Sequence, residues 1–279
     1  MSLPGGGADR SADAPEQDRP RAVDEPQQAG LLAESGSLGP GGLSKLTNAA
    51  GEALDHAFTP GEPGRRSLVV IAHGVTGQHD RPYLNSLAEG LARRGLSTLQ
   101  VTYAGNGRSE GRFEECTISK EVADLGSVLD TLDGWTVGYA GHSMGGAVGA
   151  LRAAQDPRLR ALCSLAGMVR VQAFMERVFG DITLGDPMLG REQCPLSPAF
   201  LADASAIGDT LGAASEIAVP WLLVHGSQDE LVPYSDSEEA RATNGSAELV
   251  SLPGADHRFT GHVEAMVDAV AAFFDEHLP

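Results

Sequence analysis

The chain has 279 residues, 42% of them hydrophobic, so it is long enough for one large α/β domain or two small ones, with a real core. A formal charge of −18 argues against nucleic acid as a partner, since phosphate neutralisation needs clustered Lys and Arg, and it repels anionic lipid headgroups. Three cysteines, Cys116, Cys163 and Cys194, form no disulfide framework, and no apolar run approaches the roughly 20 residues that cross a bilayer. With no signal-peptide pattern at the N-terminus, the expected location is the cytoplasm, without insertion into a membrane.

Residues 1–42 contain no aromatic residue, many Gly, Pro, Ala and Gln, and more acidic than basic side chains. Such a segment cannot bury enough apolar surface to offset its ordering entropy, so it reads as a disordered tail. A docking tail for a partner is the functional alternative. The domain then occupies residues 43–279.

From Leu43 the pattern changes. Residues 44–48 and 52–58, separated by Gly51, suggest a short hairpin, and a single helix over 44–58 is the competing reading. Residues 67–72 (SLVVIA) are a β-branched run of the kind buried in a parallel sheet. Leu84, Leu87 and Leu91 follow at helical spacing, with Gly95 as the stop. Residues 97–103 read as a strand, and Ile118, Val122, Leu125, Leu129 and Leu132 mark a helix. Strands at 135–140 and 160–165 flank a helix that begins just after Ser143. Between Leu165 and Trp221 lies an insertion with helices at 169–179 and near 198–207. Strands at 221–225 and 247–252 come next. Val263, Val267, Val270 and Phe274 give the last helix one apolar face. Such alternation implies a mostly parallel sheet covered by helices on both faces, in one α/β domain. With both hairpin arms counted as strands, a small cap insertion at about 168–216 follows the sixth.

Gly141-His142-Ser143-Met144-Gly145 matches G-x-S-x-G, the strained strand-to-helix turn that presents a serine hydroxyl at a strand's carboxyl end. A chain rich in Gly and Ser produces such matches by chance, and Gly107-Arg108-Ser109-Glu110-Gly111 is a second one. Context separates them. Ser143 follows a strand and precedes the small-residue run Gly146-Ala147-Val148-Gly149-Ala150, suited to a helix packed close on a sheet. Ser109 runs into Arg112-Phe113-Glu114-Glu115 and reads as a polar loop. Ser143 is therefore the candidate nucleophile.

A serine hydroxyl needs a base, and the base needs a carboxylate to fix its tautomer. His257, between the final strand and the closing helix, is the candidate base. Asp229, just past the 221–225 strand, is the candidate carboxylate, with neighbouring Glu230 as the chemical alternative. The loop His73-Gly74-Val75-Thr76-Gly77 follows the first central strand. Its Val75 N–H and that of Met144 are the candidate oxyanion donors. His73, His142 and His225 read as structural. Met168, Phe174, Phe179 and Met188 in the insertion either roof an apolar pocket or belong to helix core.

The segments HGVTG, YAGNGRSEG, GHSMGG, HGSQDELVP and GADHRF resemble those of α/β-hydrolases, in the esterase and serine-aminopeptidase-like branch that includes feruloyl esterases. The resemblance runs over about residues 43–279. It implies the α/β-hydrolase fold, a cofactor-independent hydrolase without a metal, and a small-molecule ester, thioester or amide substrate. The long acidic tail and the small insertion depart from the pattern. The expected activity is carboxylic ester hydrolysis through an acyl-enzyme. An aminopeptidase, amidase or acyltransferase on the same triad is the nearest alternative. A catalytically silent binding module is the rival of a different class.

Overall fold

The computed structural model describes residues 45–279. The tail at 1–42, and the first residue of the expected hairpin, lie outside the described residues.

Seven strands form one sheet in the order β1-β3-β2-β4-β5-β6-β7. They are β1 (His56–Thr59), β2 (Ser67–Ala72), β3 (Ser97–Val101), β4 (Thr136–His142), β5 (Leu159–Leu165), β6 (Trp221–Gly226) and β7 (Glu248–Leu252). Only the edge strand β1 is antiparallel; every other pairing is parallel. Parallel neighbours need crossovers, and helices supply most of them. They are α1 (Pro82–Arg93), α2 (Ile118–Asp130), α3 (Met144–Ala153), α4 (Val171–Phe179), α5 (Pro198–Ile207), α6 (Leu211–Glu216), α7 (Tyr234–Thr243) and α8 (Val263–His277).

The two faces of the sheet are filled by alternate residues of the same strands. On β2, Leu68, Val70 and Ala72 enter the core beneath α2 and α3, while Val69 and Ile71 enter the core beneath α1 and α8. That is the period-two geometry of a strand buried on both sides, which explains why SLVVIA shows no polar alternation.

The segment after residue 44 becomes neither two full strands nor a helix. Thr47 and Ala53 make an isolated bridge, and only His56–Thr59 joins the sheet. Counted along the described sheet, the insertion of α4, α5 and α6 thus follows the fifth strand. Helix α7 was not legible in the sequence pattern, because its inward residues include Asp236 and Ser237 beside Ala240. Asp236 is buried because it has partners: its carboxylate accepts the Val169 and Arg170 backbone N–H groups at 2.9 Å each. Among the described residues no helix is long and apolar enough to cross a membrane.

Candidate active site

Four loops at the carboxyl ends of β2, β4, β6 and β7 carry Val75, Ser143, Met144, Asp229 and His257, where parallel sheets present their sites. Ser143 sits between β4 and α3 with φ 55° and ψ −118°, a conformation that side chains rarely adopt. Crowding accounts for the flanking glycines. A Cβ at position 141 would lie 2.1 Å from the Gly145 carbonyl oxygen, and one at 145 would lie 2.6 Å from that of His73. Backbone bonds pin the turn: Ser143 N–H donates to Leu165 at 2.9 Å, and the Ser143 carbonyl accepts from Gly146 and Met168.

The Asp229 side chain is buried and its two oxygens divide the work. Oδ1 accepts the backbone N–H groups of Leu231 and Val232 at 2.8 and 2.9 Å, which fixes the carboxylate plane. Oδ2 lies 2.7 Å from His257 Nδ1 and 3.2 Å from His225 Nε2. Burial by itself would raise the Asp229 pKa. Hydrogen bonds from His225 and His257, with the Val232 N–H, outweigh it and hold the carboxyl well below the usual carboxylate range. An ionised Asp229 accepts the Nδ1–H of His257 and leaves Nε2 free as the basic nitrogen.

His142, the residue before Ser143, joins the two halves of the site. Its Nε2 lies 2.8 Å from the His257 carbonyl oxygen and its Nδ1 lies 3.1 Å from the Tyr83 hydroxyl. The consistent assignment has Tyr83 O–H donating to Nδ1, and Nε2–H donating to His257 C=O. Burial, reinforced by the neighbouring His257, lowers the His142 pKa to about 3, so the ring stays neutral. The His142 and His257 rings stand 4.6 Å apart between centroids. The loop that carries His257 is thereby tied to the residue beside Ser143. No hydrogen bond joins Ser143 and His257 themselves among the described residues; such bonds commonly tighten only with substrate in place.

The loop after β2 closes the other side. A Cβ at Gly74 would stand 2.8 Å from the Ser143 Cβ, so only glycine allows this approach. His73 beneath it is fully buried, accepts the Tyr103 N–H on Nε2 at 3.1 Å, and is lowered by burial to about 4. The backbone N–H groups of Val75 and Met144 have no hydrogen-bond acceptor among the described residues. Both residues line a small pocket with Asn106, Phe113, Glu121, Met188 and Phe200.

Of the four insertion residues, Met188 lines that cavity. Met168 borders a second, smaller one with Gly146 and Trp221. Phe174 and Phe179 pack on each other at 5.8 Å within the core. Ser109 is a latch in the loop after β3: its hydroxyl donates to the Thr102 carbonyl at 2.6 Å and accepts the Asp55 N–H at 2.8 Å. Tyr83, His142 and His225 were missed as hydrogen-bonding members of the site. The available signal was position: His142 is next to Ser143, and His225 ends a strand four residues before Asp229.

A mostly parallel sheet with this strained serine turn defines an α/β-hydrolase. The chain belongs to the α/β-hydrolase superfamily, among its esterase- and lipase-like members. The family model described as serine aminopeptidase, S33, matches residues 63–185, and that described as TAP-like protein matches residues 202–277. Human monoglyceride lipase is 30% identical over 234 residues, covering 68% of this chain and 74% of that protein. The structure of Est1E from Butyrivibrio proteoclasticus with ferulic acid bound superposes with a TM-score of 0.74. It is 28% identical and the match covers 84% of this chain and 98% of that one. A monoacylglycerol lipase from Paleococcus ferrophilus shares the fold, with a TM-score of 0.66 at 18% identity over 80% of this chain and 99% of that one.

Proposed function

We propose that this protein is a serine hydrolase that cleaves a carboxylic ester, or thioester, of a small to medium substrate through an acyl-enzyme on Ser143, His257 and Asp229. The observation that carries the reading is the buried Asp229–His257 pair, 2.7 Å apart, in a loop that His142 ties to the strained Ser143 turn. His257 Nε2 takes the Ser143 proton as the hydroxyl oxygen attacks the ester carbon. The oxyanion that forms is held by the Val75 and Met144 N–H groups, which are free to donate. His257 then hands its proton to the leaving alkoxide, and Asp229 stabilises the imidazolium in between. Water, activated by the same imidazole, releases the acid and restores Ser143.

The human relative is named a monoglyceride lipase and the Est1E structure holds ferulic acid, both of which support an ester substrate. The serine aminopeptidase model gives the second reading its one specific support. An aminopeptidase anchors a substrate ammonium with a charged carboxylate. The carboxyl group lining the cavity is Glu121, which burial, with the neighbouring Asp124 charge, raises well above the usual range toward the neutral form. Ester hydrolysis is therefore preferred. A cytoplasmic location belongs to the same reading, and three buried, unpaired thiols are compatible with a reducing compartment.

The test measures p-nitrophenol release from short- and long-chain esters beside p-nitroaniline release from aminoacyl anilides. Ester turnover that vanishes in Ser143→Ala is the expected result. Anilide turnover exceeding ester turnover would move the assignment to a peptidase. No turnover and no fluorophosphonate labelling would leave only a binding module.

A further inference from the structure

The cavity beside Val75 and Met144 is not purely apolar. Phe113, Met188 and Phe200 form its hydrocarbon walls, and Glu121 from α2 and Asn106 from the loop after β3 also line it. Glu121 is 1% exposed and Asn106 is 3% exposed. Asn106 Nδ2 donates to Glu121 Oε1 at 3.2 Å, and the same nitrogen faces Cys116 Sγ at 3.5 Å. The cysteine sulfur lies 3.1 Å from the Ala104 carbonyl, to which its S–H donates, leaving the sulfur to accept. This orients the Asn106 amide and makes Oε1 the accepting oxygen of Glu121. Oε2 is buried and has no hydrogen-bond partner among the described residues.

Among the described residues no cation answers that oxygen. Lys120, one residue earlier, is engaged by Glu52 and lies 3.9 Å from Asp124. Asp124 is itself satisfied by the Ala104 N–H at 3.0 Å and by Asn48 at 2.9 Å. Burial first, and the Asp124 charge second, raise the Glu121 pKa well above the carboxylate range. Since Oε1 accepts from Asn106, a proton held by Glu121 falls on Oε2. Glu121, which lines the same pocket as Val75 and Met144, then offers a buried O–H donor that has no acceptor among the described residues. A buried donor left unpaired is costly, and a ligand oxygen placed there recovers the loss.

We propose that Glu121 is a specificity determinant, its Oε2–H donating to an oxygen carried by the acyl part of the substrate. The site then selects acyl groups bearing an ether, keto or hydroxyl oxygen over plain hydrocarbon chains of the same length. This rests on the serine-esterase reading above.

The probes are matched p-nitrophenyl esters, an alkanoate and its oxa-analogues, in which an ether oxygen replaces one methylene at successive positions. Each oxa/alkanoate ratio of kcat/KM is divided by the same ratio for alkaline hydrolysis, which removes intrinsic reactivity. Wild type is expected to favour the oxygen at one position by about tenfold, the worth of one buried hydrogen bond. Glu121→Leu should bring that ratio close to one. Glu121→Gln keeps an N–H donor of similar reach and should retain most of the preference.

A normalised wild-type ratio of one at every position overturns the proposal whether or not the variants fold, as does a preference unchanged in Glu121→Leu. Both results leave the esterase reading standing. Failure of wild type to hydrolyse any ester, with Ser143 refractory to a fluorophosphonate, overturns both.

Discussion

Two stretches of this chain spell the same five-residue pattern, at Gly141–Gly145 and Gly107–Gly111, and the fold uses them in opposite ways. At the first, β4 runs straight into α3, and Ser143 is forced to φ 55° with its carbonyl and N–H consumed by the turn. At the second, the glycines themselves take the positive φ values, 54° at Gly107 and 100° at Gly111, and Ser109 is not among the positive-φ residues. Its hydroxyl, bonded to Thr102 and Asp55, is consumed in holding a loop to the edge strand. One turn stores strain in the serine; the other lets glycine carry the unusual geometry and uses the serine as a tie. A strained non-glycine residue persists only where its surroundings over-determine it, and such residues cluster at functional sites.

The largest test of this contrast is Ser143→Ala, expected to lower ester turnover by roughly 10⁵-fold or more while leaving the melting temperature close to wild type. Turnover that survives would hand the nucleophile role to another hydroxyl, Ser109 first. Next comes Asp229→Asn, expected to cost about 10³–10⁴ in kcat, because an amide can stabilise the wrong imidazole tautomer. A change confined to KM would remove Asp229 from the mechanism.

Tyr83→Phe and His142→Gln loosen the tie between the base loop and the serine turn. A loss of about tenfold in kcat is expected for each, with KM little changed, since one hydrogen bond is removed each time. His142 also sets a pH signature. Its folded pKa, about 3, lies below its unfolded value, so the unfolded state binds more protons as pH falls below about 6.5. Wild type should therefore lose about 2 kcal/mol by pH 5 from this ring, and denaturant titrations of His142→Gln should lack that part of the slope. Equal slopes for the two proteins would contradict the buried neutral ring.

The smallest effect on activity belongs to Ser109→Ala. It leaves the Thr102 carbonyl and the Asp55 N–H without their partner, so a loss of about 1–2 kcal/mol in stability is expected. Turnover should stay within about twofold of wild type. A Ser109→Ala enzyme as impaired as Ser143→Ala would erase the distinction between the turns.

Much of the architecture was legible because its signals are local. SLVVIA is a strand because β-branched residues in a short run favour an extended chain buried on both faces, and it is a strand in the sheet. The small-residue run after Ser143 announced a helix packed close on β4 and β5, which is α3. The segment at 45–58 was ambiguous because its few apolar residues fit either period, and edge pairing left just four residues of strand. Helix α7 was hidden because polar residues face inward, where Asp236 is satisfied by backbone donors from a segment 66 residues away.

The residue types at Ser143, Asp229 and His257, their order, and the glycines around the serine turn are written in the sequence, because a turn's chemistry depends on near neighbours. The roles of Tyr83, His142, His225 and Glu121 are not. Tyr83 and His142 acquired theirs from partners remote along the chain, and His225 and Glu121, whose partners are nearer, from burial that the closed fold imposes. Only the closed fold decides which polar atoms find partners and which, Glu121 Oε2 among them, are left without one among the described residues.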